Sequence, residues 1–248
     1  MSYVVSNGEV SSGIILEKDS MTVLEGGTAL ETILNSNGRM FVSSGGLAET
    51  TVVNSRGSMT LSSGGTATGA TVNTGGYLRI SSGGKMSSTV VQSGGRLLGY
   101  FDCKDVMFES GAALYFDVST VAPGNADALV DLTGLSGPDG IRYSLLISDS
   151  QETGVYKLAE GAAGFDRTIS VVNSVMELGS ISTDQPVTIN GREYTLNLNG
   201  DELTLSVIAP TAQYVYLDFD GEALARYRNP DLELEFDLSV ADPAFSEE

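Results

Sequence analysis

Carboxylates are the only side chains here that could support catalysis in numbers. The 248 residues hold 32 Asp and Glu against 13 Lys and Arg, with no His and a single Cys. Without histidine there is no Ser–His–Asp triad, no Cys–His pair and no histidine-built zinc site. One thiol cannot close an intramolecular disulfide, and Cys103 reads as a small buried apolar filler rather than a reactive nucleophile. The remaining option is acid–base work by paired acids, which in polysaccharide-cleaving enzymes needs two carboxyls about 5–9.5 Å apart over one groove. The acids of residues 1–95 are Glu9, Glu17, Asp19, Glu25, Glu31 and Glu49. Only Glu31 and Glu49 can become neighbours, no Lys or Arg accompanies them, and the set reads as a solvated face. A second cluster, Asp218, Asp220 and Glu222, has oxygen spacing suited to calcium but lacks the third Asp and the distal Glu of an EF-hand loop. On an alternating strand these three share one face, so calcium ligation and plain solvent exposure both stay open. No catalytic residue, cofactor site or assigned metal ligand is expected.

The element that positions any surface on this chain is a repeat. Residues 1–95 divide into five 19-residue units: 1–19, 20–38, 39–57, 58–76 and 77–95. Unit position 8 is Gly throughout (Gly8, Gly27, Gly46, Gly65, Gly84), and position 4 is aliphatic (Val4, Val23, Val42, Leu61, Ile80). Position 15 runs Ile15, Leu34, Val53, Val72 and Val91, and the last position becomes Gly38, Gly57, Gly76 and Gly95. A fixed period marks each unit as one rung of a stack. Two short β-branched runs between glycine turns leave no room for a helix packed on a strand, so each unit circles once and the next lies on top, about 4.8 Å away. The expected fold is all-β, a parallel β-solenoid. Its expected inward files are positions 4 and 15, with Met21, Met40, Met59 and Leu78 as a third. The glycine files are expected at corners of positive φ. Asn35, Asn54, Asn73 and Gln92 are expected to form an amide ladder along the stack.

The recurring phrase, clearest at 40–57, 59–76 and 78–95, has the form hydrophobic-x-[VLI]-SSGG-x-A-x-x-T-x-V-N-S-x-G. It resembles the strand–loop–strand repeats of autotransporter adhesin passengers, the AIDA-like repeats. The resemblance implies a right-handed parallel β-helix displayed outside a bacterial cell, extracellular or at its surface, and tied to adhesion. It supplies no catalytic motif.

After Gly95 the period decays. Residues 96–114 keep two apolar runs and gain aromatics, as expected of an atypical coil that closes the solenoid at 1–114. Residues 115–210 alternate candidate strands with turn signals such as Asn190-Gly191 and Asn199-Gly200, and are expected to form a β-rich capping module. Their best hairpin pairs Glu193–Leu198 with Glu202–Ile208. Residues 211–248 form an acidic segment that reads as the start of a further domain. Its phrase YLDFDGE is similar to the opening of domains that precede metallopeptidases.

Charge narrows the partners. The formal net charge is −19, which argues against nucleic acid and anionic membrane surfaces as partners. Residues 1–95 hold 6 acids and 5 bases, 96–210 hold 16 and 6, and 211–248 hold 10 and 2. The N-terminus has no basic stretch followed by a long apolar run, and nothing approaches the roughly 18 apolar residues of a membrane span. The leading expectation is a non-enzymatic bacterial surface or secreted adhesin-like module, a stalk or display scaffold whose partners are host or bacterial surface glycans or proteins. The alternatives are the non-catalytic N-terminal part of a larger secreted metallopeptidase, and a β-helix polysaccharide-degrading enzyme.

Overall fold

The computed structural model describes residues 1–135 and 140–209, together with the two short strands Tyr227–Asn229 and Leu234–Phe236. Met1–Pro210 form one compact unit and Thr211–Glu248 a second. In the second, the two short strands pair antiparallel. The expected strand Tyr214–Phe219 and the residues Asp218, Asp220 and Glu222 lie outside the described residues.

The first unit is a parallel β-solenoid with three faces. Each repeat contributes one strand to each face, as in Ser58–Leu61, Thr66–Thr68 and Thr71–Val72. Adjacent units stack in parallel at an offset of 19 residues, so Met59 lies between Met40 and Leu78, and Val72 between Val53 and Val91. Strand alternation sends every second side chain inward. Met21, Met40, Met59 and Leu78 are buried, as are Val23, Val42, Leu61 and Ile80. Opposite them the second face offers Ala29, Ala48 and Ala67 in the middle three coils, which keeps the interior narrow there, before Met86 takes the same file. The amide ladder forms on the third face over three of its four expected members: Asn54 Nδ2 donates to Asn35 Oδ1 at 2.8 Å and Asn73 Nδ2 to Asn54 Oδ1 at 2.6 Å, while no such bond joins Gln92 to Asn73.

The first rung differs from the reading by period. Val5, not Val4, pairs with Val23, and Leu16, not Ile15, pairs with Leu34, an offset of 18. Val5 and Leu16 are accordingly buried, while Val4 and Ile15 are 56% and 54% exposed. Gly8 donates its N–H to the carbonyl of Gly26, not Gly27. The first unit has apolar residues at both candidate positions, so composition alone leaves its register open; a slip of one residue exchanges the two faces of a strand.

The glycine files also divide by cause. Two corners of positive φ are Gly26, Gly45, Gly64 and Gly83, and Asn37, Arg56, Gly75 and Gly94, each one residue before an expected file. A third corner of positive φ is occupied by Glu31, Thr50, Gly69 and Ser88. From the second coil on, the expected files are glycine for want of space. A Cβ on Gly65 would lie 2.4 Å from the Val42 carbonyl oxygen, and one on Gly76 would lie 2.3 Å from that of Val53. Those atoms are backbone of the rung below and cannot step aside.

The stack does not end at residue 114. Ala113–Asp117 pairs in parallel with Arg96–Gly99, then Arg142–Leu146 and Ile169–Val172 follow on the same sheet. Ten strands make up that first sheet, and the reversal Glu177–Ile181, antiparallel to Ile169–Val172, finishes it. The segment 115–210 thus continues the solenoid's first face. The second face changes partners instead: Lys85–Ser87 ends the old sheet, and Phe101–Asp102 opens a new one with Val130–Asp131 and Gly154–Glu160. Gly99, at φ 106°, lies just before Phe101–Asp102, and a Cβ there would lie 2.0 Å from the Ile80 carbonyl oxygen. The expected hairpin forms as Arg192–Asn199 with Glu202–Ile208 and adds antiparallel to Gly154–Glu160. Larger coils enclose larger side chains, and Phe116, Tyr143 and Phe165 fill the widened interior, with Tyr143 edge-on to Phe165 at 5.2 Å.

Candidate interaction surface

Glu31 and Glu49 meet at one corner of adjacent coils, where the Glu31 N–H donates to the Glu49 carbonyl at 2.9 Å. Among the described residues no group of three or more His, Cys, Asp or Glu could hold a metal ion. Cys103 is fully buried, and burial, with the charges of Asp102 and Asp131 adding to it, pushes its thiol up to about 12. A thiol held protonated in this way is a packing group.

The outer side of the first sheet is different in kind. Strand alternation puts two rows of side chains there, running along the stack. One row passes Arg39, Ser58, Tyr77, Arg96, Ala113 and Arg142 in register; the other passes Phe41, Thr60, Arg79, Leu98, Tyr115 and Ser144. These twelve positions carry four arginines and three aromatics but no acid, in a chain where acids outnumber bases by 32 to 13. Phe41 is 41% exposed and Tyr77 37%.

Toward the C-terminal end the reversal after Val172 overhangs this side and makes it concave. Asn173 Oδ1 accepts the N–H groups of Val175 and Met176, which fixes the turn. Under it lies a cleft of about 420 Å³ whose walls include Arg96, Ala113, Tyr115, Arg142 and Glu177. A neighbouring cleft of about 410 Å³ extends it past Tyr77 and Arg79.

The arginines are held differently. Arg79 Nη2 pairs with Asp117 Oδ2 at 2.9 Å, and Asp117, almost fully buried, also accepts the Ser119 hydroxyl at 2.6 Å. Arg142 Nη2 donates to the Gly111 carbonyl at 2.8 Å, which orients the guanidinium without neutralising it. The Arg96 side chain has no hydrogen-bond or ion-pair partner among the described residues. The reading by residue type misses this face, although the alternation of Tyr77-Leu-Arg79 and Arg96-Leu-Leu98 inside the repeat frame is the signal that places these side chains together.

A stack of near-identical small rungs defines a structural class, the parallel β-solenoid. Residues 2–57 and 44–95 match a family model described as adhesin of bacterial autotransporter system, probable stalk. Residues 2–95 are thus similar to the stalk repeats of AIDA-like autotransporter adhesins. Among solved structures, the chain is similar to a TibC-catalyzed hyper-glycosylated TibA fragment, at 29% identity and a TM-score of 0.49, over 64% of this chain and 52% of that one. This chain therefore spans about half the length of that fragment. No curated protein matches.

Proposed function

We propose that this chain is a non-enzymatic stalk of a bacterial adhesin, displayed at the cell surface or outside it, and that its partners are surface glycans or proteins. The observation that carries the reading is the stalk-family match over residues 2–95 together with the redundancy of the rungs. Each inward file repeats the same residue types, so any repeat-to-repeat interface can replace any other. A catalytic site needs particular side chains on particular coils, whereas a stalk needs only length.

Deletion of residues 58–76 tests this. Gly57 then leads into Tyr77, Val53 meets Val91, and Gly95 takes the place of Gly76 above the Val53 carbonyl. The stalk reading expects a folded protein, shorter by about 4.8 Å, that keeps its adhesion when displayed on cells. Deletion of residues 58–67 should unfold the repeat, because it joins a corner to the wrong strand and leaves the glycines out of phase. A 19-residue deletion that stays folded yet abolishes adhesion would overturn the reading.

A further inference from the structure

We infer that the cleft at the C-terminal end of the first sheet binds an acidic polysaccharide through carboxylates held between Arg96 and Arg142. The inference rests on the adhesin reading and names the partner class for it. Its starting point is the charge contrast: an acid-free Arg and aromatic face on a chain of formal net charge −19.

Arg96 and Arg142 occupy the same row with Ala113 between them. Two coil steps separate them by about 9.6 Å, and the small Ala113 side chain leaves a notch in the middle. Both arginines line the cleft, and a forked guanidinium is the group that recognises a planar carboxylate bidentately. Arg96 has its whole donor set unused, and Arg142 spends one donor on a backbone carbonyl that holds it in place.

The surroundings suit a sugar ring better than a bare anion. Tyr115 lies beside the notch in the parallel row, half-buried, and offers an aromatic face with a hydroxyl at its edge. Ser144, buried in the cleft floor, and Ser170 continue that row, and Ser170 adds a half-buried hydroxyl suited to a polyhydroxylated ligand. The cleft is open along the stack toward Tyr77 and Arg79, so a chain of sugars can run through it rather than end in it. Glu177 is the acid on its wall; it opposes an anionic ligand and gives the site a built-in negative control.

The test measures binding of the full chain to alginate, a polyuronate, to dextran, a neutral glucan, and to poly-glutamate, by isothermal titration calorimetry at low and at near-physiological salt. The expected result is alginate binding that weakens with salt, with little binding of dextran or poly-glutamate. Arg96→Gln should weaken alginate binding about tenfold or more at unchanged melting temperature, and Arg96→Lys by less. Glu177→Gln should tighten it severalfold, and Arg39→Gln, three coils below Arg96, should leave it unchanged. No alginate binding by the unmodified chain overturns the inference, as does an Arg96→Gln variant that binds normally. Poly-glutamate binding as tight as alginate would overturn it in favour of an acidic protein segment. Loss of alginate binding in Arg96→Gln with adhesion intact would leave the stalk reading in place, while failure of the 19-residue deletion would remove that reading without touching the cleft.

Discussion

Val72→Asp probes the interior where the coil stack leaves least freedom. Val72 is fully buried and lies in register between Val53 and Val91, with Ala67 and Ala70 nearby in the same coil. An aspartate there finds no cation and no ordered donor in its file. The cheapest state is the protonated acid. Holding an Asp with an ordinary pKa of about 3.9 neutral at pH 7 costs about 4 kcal/mol, at about 1.36 kcal/mol per unit. The unpartnered carboxylic acid adds about 1–3 kcal/mol more. A total of about 5–7 kcal/mol is a large fraction of a domain's stability.

The pH dependence separates this cause from a simple cavity. The introduced carboxyl has a folded-state pKa raised above its unfolded value, so folding takes up a proton and the penalty grows as pH rises between the two values. Lowering the pH from 7 to 5 should therefore recover about 2.7 kcal/mol relative to the unmodified chain. Urea melts of both proteins at pH 7 and pH 5, followed by circular dichroism, read both quantities. Thr68→Asp is the control. Thr68 lies on the outer side of its strand, paired in register with Glu49 and Ser87, so its cost should stay at about 1 kcal/mol, from like charge opposite Glu49. A loss at Val72 below about 1 kcal/mol, or one that does not change with pH, would mean that this file does not face a dry interior.

Two further substitutions test the corners and the core. Gly76→Ala should cost about 1–3 kcal/mol by forcing a Cβ against the Val53 carbonyl, whereas Gly75→Asn should cost about 1 kcal/mol or less, since Asn37 and Arg56 already hold positive φ at that position; a reversed order in thermal melts would return the conformational role to Gly76. Thr51→Val should be neutral or raise stability by up to about 1 kcal/mol, because the buried Thr51 hydroxyl lacks a partner among the described residues and Ala70 already places an apolar residue in that file; a clear loss in a melt would show that the hydroxyl is satisfied.

Sequence alone determined the repeat and most of its structural consequences. With five units in near-perfect phase, the period sets the stacking, alternation sets which residues point inward, and stacked asparagines find one another. Met59, Val53, Val72 and the Asn35–Asn54–Asn73 ladder are therefore legible as files from residue type and spacing. The missing histidine likewise removes whole classes of chemistry. Tertiary structure decided everything the period leaves degenerate. In the first unit, Val4-Val5 and Ile14-Ile15-Leu16 satisfy two registers equally, and only pairing with the second coil chooses Val5 and Leu16. The space-limited glycine file depends on a carbonyl of the preceding coil, which no local propensity reports. Past Gly95 the coils lengthen, so residues far apart in sequence, such as Arg96 and Arg142, fall in one row by stacking rather than by spacing. The cleft on that row exists because the Asn173 turn folds back over the sheet, a long-range event written in no motif.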